Sequence, residues 1–352
     1  MAKVRHAERL NKGNAMMINI RSTAATLGAG FVGAALAAIV GIPAGALIGS
    51  TLAVAGLAAI GGRVGLPDAL RNLAFATIGV SLGAGVDEQL FTQLGTWSVS
   101  LVVLVASLFA TILTGRLVLS RGFGLDTQTA TLASSPGTMS NAIAIAVEGR
   151  GDAAAVMFLQ VMRLLVLVIA VPPLAVALDQ SAVALPVDVT VMSLPVLAAL
   201  LAISIILGLL GTQAGLPAAC LLAGMVISAS GHAVGLVQGL APDWAIFAAF
   251  ALTGAVLGSR MSRVTAAQFR KYAAAGLAVV CSALVVSLCF AVIANLLTGL
   301  PFGQIWIAFA PGGVEAMAAI GLSLGYDPAY VAVHHFARIF ALVLIVPIVL
   351  KL

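Results

Sequence analysis

Charge is what this sequence has least of. Asp, Glu, Lys and Arg make up only 8% of its 352 residues, against about 25% in an ordinary soluble domain. A chain so poor in charge cannot cover a water-facing surface. Histidine and cysteine are scarce as well, at four and three residues. Cys220, Cys281 and Cys289 all fall in apolar runs, with neither a disulfide framework nor a metal-ligand spacing, so they read as small packing residues. No nucleotide-binding loop occurs, which argues against ATP coupling. No cofactor is expected, and no enzyme activity. The net charge of +5 does not point to nucleic acid, because the basic residues sit in short clusters between apolar runs, as they do in cytoplasmic loops.

What the sequence has instead is hydrophobicity, at 62% of residues and a mean hydropathy of +1.16. Apolar segments fall at 22–40, 43–61, 67–86, 95–116, 127–148 and 153–178, and again at 189–211, 216–236, 242–259, 272–298, 303–325 and 328–350. Runs of about 20 residues suit bilayer-spanning helices, and the lack of strict alternation excludes a β-barrel. The reading is an all-α polytopic membrane protein. Residues 1–21 are too polar for a signal peptide and form a cytoplasmic lead-in. The polar break "DQSAVALPVDV" separates a first membrane unit, 22–188, from a second, 189–352.

The two units look like copies. A shift of 175 residues brings Pro136 onto Pro311, Gly137 onto Gly312, Asp152 onto Asp327, Arg163 onto Arg338 and Pro172 onto Pro347 without a gap. The same shift pairs Gly83 with Gly258, and a shift of 174 pairs "GIPA" at 41–44 with "GLPA" at 215–218. A tandem duplication accounts for so many matches in register. Loop charge then orients the copies. Arg116 and Arg121 follow the fourth segment of the first unit, while the equivalent loop "TGLPFG" is uncharged. Asp87 and Glu88 follow its third segment, where the second unit carries Arg260, Arg263, Arg270 and Lys271. Opposite bias at equivalent loops implies opposite orientation, hence inverted repeats. Inversion needs an odd number of crossings per copy. The expectation is therefore about ten transmembrane helices, both termini cytoplasmic, and two re-entrant or broken Pro-Gly segments at 127–148 and 303–325.

These segments hold the candidate site. Pro136 and Gly137, and Pro311, Gly312 and Gly313, mark a helix break at one place in each copy. Beside them lie Thr138, Ser140 and Asn141 in the first copy and Glu315 in the second. Paired Gly/Pro-interrupted segments in inverted repeats point to a midplane binding site in transporters. Arg163 and Arg338 fall near the centre of the following helices, where a charge costs at least ~2.5–3.5 kcal/mol. Glu315, the only carboxylate in the second segment, is the obvious counter-ion for one of them. Gln160 stands one turn before Arg163, His335 takes the same place before Arg338, and His334 is four residues away. Such a site could bind an anionic solute or couple to protons. Asp152 and Asp327 read as helix N-caps. The glycines at 79 and 83, and at 254 and 258, read as helix-packing faces.

"APGGVEAM", followed by "DPAYVAVHHFARIFALVLIVP", with a weaker copy at 135–172, resembles the bacterial integral-membrane AbrB family of duplicated membrane proteins. In that family's pattern each half ends in a "PGG…E" segment and an arginine-bearing helix. The first copy departs from it, with Thr138 in place of the second glycine and Ser140 in place of the glutamate. Members carry labels of gene-expression regulator and of ammonia monooxygenase. Four histidines, at 6, 232, 334 and 335, with no carboxylate or cysteine cluster, give the oxygenase no convincing copper or iron site, and regulation would have to be indirect. The expectation is a multi-pass protein of the bacterial inner membrane, transporter-like, with a small molecule or ion as ligand and the lipid bilayer as surroundings. A membrane sensor is the alternative, and a homo-oligomer is left open.

Overall fold

A computed structural model describes residues 20–85, 90–136, 139–149, 151–179 and 190–351. The expected lead-in therefore lies almost wholly outside the described residues. So do Asp87, Glu88, Gly137, Thr138, most of the linker, and the side chains of Ser140 and Asn141.

Within the described residues the chain is helical, apart from one isolated bridge between Val191 and Leu240. The first unit contains α1 (Ile20–Ile39), α2 (Gly45–Ala59), α3 (Asp68–Ala84), α4 (Leu90–Leu117), α5 (Thr127–Ser134), α6 (Met139–Val147) and α7 (Ala153–Leu178). The second contains α8 (Leu194–Gln213), α9 (Ala219–Ala233), α10 (Asp243–Ser259), α11 (Ala266–Thr298), α12 (Phe302–Phe309), α13 (Val314–Ser323) and α14 (Pro328–Lys351). Seven of these helices (α1, α4, α7, α8, α10, α11 and α14) supply stretches long and apolar enough to cross a membrane. Large apolar side chains such as Ile206, Leu296 and Leu344 face outward, while Gln160, Arg163 and Arg338 are buried. That arrangement suits a lipid surround and not water. The protein is a multi-pass membrane protein.

Each Pro-Gly segment is two short helices and not one. Residues 127–148 divide into α5 and α6, and 303–325 into α12 and α13. An eight-residue helix such as α5 or α12 is about 12 Å long, well under the ~30 Å hydrocarbon core. Each therefore ends inside the protein.

The helices form two bundles, and each bundle draws on both units. In the first, α1, α2 and α3 pack with α8, α9 and α10. Backbone meets backbone there. A Cβ at Gly79 or Gly83 would overlap the carbonyl oxygens of Leu221 and Met225 on α9, and one at Gly254 or Gly258 those of Leu47 and Thr51 on α2. A buried hydrogen bond from Ser50 Oγ to Ala251 O, 2.5 Å, ties α2 to α10. The glycine pairs read from the sequence as packing faces are these contacts. In the second bundle, α4, α7, α11 and α14 surround the broken pairs α5/α6 and α12/α13. Between bundles the contact is narrow, made chiefly by α13 on α3 and α10, by α2 on α7 and by α14 on α3.

Candidate functional site

The site begins at two N-caps. Asp152 accepts from the N–H groups of Ala154 and Ala155 at 2.9 and 3.1 Å, and Asp327 from those of Ala329 and Tyr330 at 2.9 and 3.2 Å. Both caps were legible as such in the sequence. The Asp152 carboxyl is held below its ordinary pKa chiefly by the Ala155 N–H, against burial and with help from the Tyr272 hydroxyl. Each cap also leans on the preceding broken pair: Asp152 N donates to Thr129 Oγ1 at 2.7 Å, and Asp327 N to Gln304 Oε1 at 3.2 Å. Eleven residues further on, about 16 Å along the axis, each helix reaches its arginine.

Both arginines turn onto the C-terminal end of a broken helix. Arg163 Nη1 donates to Ser135 O at 3.0 Å, and its Nη2 to Gln160 Oε1 at 2.6 Å. Gln160 Nε2 in turn donates to Leu132 O and Ser135 O at 2.9 and 3.0 Å. In the second unit, His335 Nε2 donates to Ile307 O at 3.0 Å. Arg338 Nη1 donates to Ala310 O at 2.6 Å and its Nη2 to Gly312 O. In both units the arginine–carbonyl bond, like the bond one turn before it, spans 28 residues.

Glu315 was the expected counter-ion for one of the arginines, and the structure gives both guanidinium groups main-chain partners instead. Among the described residues no ion pair joins Glu315 to Arg163 or Arg338. The counter-charge is the end of a helix. The last carbonyls of α5 and α12 have no intrahelical donor and carry the negative end of the dipole, so a guanidinium there satisfies orphan acceptors and charge together. Glu315 lies across the break, in the first turn of α13, where free N–H groups favour a carboxylate for the mirror-image reason.

A Cβ at Gly313 would meet Glu315 Oε2 at 3.3 Å and Leu164 Cδ2 of α7 at 3.5 Å, so the second break lies beside the helix that carries Arg163. Both guanidinium groups are buried, and the Nε of each has no partner among the described residues. Pro136 and Pro311 are buried at their breaks.

His334 does not join this group. Its ring turns to α4, with Nε2 at 2.7 Å from Ser100 Oγ and Nδ1 at 2.8 Å from Tyr330 O. Trp97 packs edge-on against Tyr330, with ring centroids 5.6 Å apart. The sequence reading did not single out Trp97, Ser100 or Tyr330, and it saw Asp179 only as part of the linker. Asp179 is buried and accepts from Gly303 N at 2.7 Å and from the Tyr326 hydroxyl at 3.4 Å. It pins the end of α7 to the start of α12. The Tyr326 hydroxyl is pushed up to about 12 by burial and by that carboxylate. Thr129 and Gln304, one 175-residue shift apart, were findable by that shift. Among the described residues no three His, Cys, Asp or Glu side chains converge as metal ligands.

Comparison with known proteins gives one result for the whole arrangement. The family model described as "Transition state regulatory protein AbrB" matches residues 46–352, taking in both breaks and both arginines. No curated protein matches the chain.

Proposed function

Because the chain belongs to the AbrB family of membrane proteins, we propose that it is a secondary-transporter-like protein holding a small anionic solute between its two helix breaks. The observation that carries this reading is the pair of buried arginines. Each caps a broken helix and keeps an Nε without a partner among the described residues, and the Glu315 carboxylate lies at the second break, which sits beside Leu164 on the helix of Arg163. Two guanidinium groups and one carboxylate leave the site with a net positive charge, which an anion would neutralise. The role is binding and movement, with no covalent step.

The architecture belongs to the same proposal. Among the described residues ten helices lie outside the two broken pairs, five in each unit, which supports ten crossings in two inverted repeats with both termini in the cytoplasm of a bacterium. The basic loops at 63–71, 116–121 and 260–271 then share the inner side. The recurring 28-residue hydrogen-bond spacing supports the duplication. Two bundles meeting over a narrow contact favour alternating access by one bundle moving against the other. The full chain reconstituted in liposomes should show saturable counterflow of an anion from a broad organic and inorganic panel, lost in Arg338→Gln. Neither flux nor binding across the panel would overturn the proposal.

The printed description of the family model, a regulatory protein, favours a second reading: a membrane sensor that binds the same solute without moving it. It predicts saturable binding abolished by Glu315→Ala, no counterflow, and altered transcript levels on deletion with no change in any solute gradient.

A further inference from the structure

We infer that His334 is a protonation site, and that a proton taken up there binds cooperatively with the anionic solute. The second half of this statement rests on the solute site proposed above.

The argument is one of hydrogen-bond satisfaction. His334, Ser100, Trp97 and Tyr330 are all at most 1% exposed. Tyr330 O can only accept, so His334 Nδ1 carries a hydrogen and donates to it. In the neutral ring Nε2 is then an acceptor, and the Ser100 hydroxyl donates to it across 2.7 Å. Ser100 Oγ also lies 2.9 Å from Trp97 O. When a proton from solvent water forms a bond to Nε2, the serine hydroxyl can turn to Trp97 O, and its oxygen accepts from the new N–H. The ring gains one positive charge, and both of its nitrogens have a hydrogen-bond partner in both states.

His335, one residue on, has no such provision. Its Nε2 is committed to Ile307 O, and its Nδ1 has no partner among the described residues, so a second proton there would be a buried donor without an acceptor. Under the 175-residue shift, His334 and Ser100 fall on Leu159 and Ala275. The pair is therefore not something the fold needs twice. Trp97 Nε1 and Tyr330 Oη are also buried without partners among the described residues, and they add polar edges to this otherwise apolar part of the bundle.

The charged and titratable groups around His334 are Tyr330, His335 and Arg338 on its own helix, Asp327 at the cap, and Glu315 on α13. From α5 and α12 come none. On α4, Arg116 binds Val349 O, about 22 Å along α14. On α3, Asp68 and Arg71 pair with each other. A proton on His334 thus adds charge one helical turn from Arg338. A bound anion lowers the cost of that proton, and the proton raises affinity for the anion by the same factor.

Two measurements test this on the full chain in detergent. Histidine ring signals in ¹⁵N NMR, followed from about pH 4 to about pH 9, need no solute. One buried ring should titrate in wild type, vanish in His334→Gln, and shift to lower pH in Ser100→Ala, which lacks the acceptor for Nε2–H. If no titrating ring signal is lost in His334→Gln, or if the buried signal is lost in His335→Gln instead, the site is refuted. The second measurement is anion affinity by thermal shift. It should strengthen as pH falls, by at most about tenfold per pH unit for one linked proton, and be flat in His334→Gln. An unchanged pH slope in His334→Gln overturns the cooperativity. A titrating His334 with no anion bound anywhere in the panel overturns the solute site alone.

Discussion

Replacing Arg338 by glutamine separates what the arginine does for the fold from what it does for a ligand. Arg338 makes two charge-assisted bonds, to Ala310 O and Gly312 O, each worth about 1.5–3 kcal/mol. Against them stands the burial of a guanidinium at membrane depth, a cost of at least ~2.5–3.5 kcal/mol. Glutamine removes that cost and restores one neutral bond, worth about 0.5–1.5 kcal/mol. The terms nearly cancel, so Arg338→Gln should stay within about 2 kcal/mol of wild type. Arg338→Ala leaves both carbonyls orphaned beside an unfilled volume and should be less stable than the glutamine variant by about 1–3 kcal/mol. Anion-induced stabilisation should vanish in both. Thermal unfolding in detergent, with and without anion, reads all three quantities. A loss above about 4 kcal/mol in Arg338→Gln would show that the fold depends on the charge itself. An anion-induced shift of wild-type size would show that the solute does not engage this arginine.

Two further outcomes follow from the helix contacts and caps. Gly79→Ala drives a Cβ into Leu221 O and should cost about 1–3 kcal/mol or more. Gly28→Ala, with nothing within 4 Å of its Cβ, should gain up to ~1 kcal/mol from helix propensity; equal melting points for the two variants would sink the close-contact argument. At Asp152 the folded state favours the charged carboxylate. Its contribution is complete above the ordinary value of 3.8 and is lost as pH falls through the lower folded value. The melting difference between wild type and Asp152→Asn should therefore shrink on acidification below about pH 4, and a pH-independent difference would contradict it.

Much of this site was legible in one dimension. Pro136, Pro311 and Gly312 break apolar runs, and broken helices are what they make. Asp152 and Asp327 precede their helices as caps do. Arg163 and Arg338 stood out because a charge in an apolar run is costly wherever it sits. Their partners were not legible, because a main-chain carbonyl has no identity in a sequence, so attention went to the one visible carboxylate, Glu315. His334 and His335 are neighbours in sequence, but adjacent positions on a helix point about 100° apart. One therefore caps a broken helix while the other meets Ser100, more than two hundred residues away.

The sequence by itself determined that this chain is helical and lies in a membrane, where its helices break, and which few charges are buried at depth. These follow from composition, local backbone preference and the price of desolvation, and they need no knowledge of what packs where. Only the tertiary structure decided that helices from both units interleave into two bundles, that the arginines cap helix ends instead of pairing with Glu315, and that His334 stands apart with Ser100. Those outcomes depend on which backbones can approach closely enough to satisfy a buried donor, and that is a property of the packed chain.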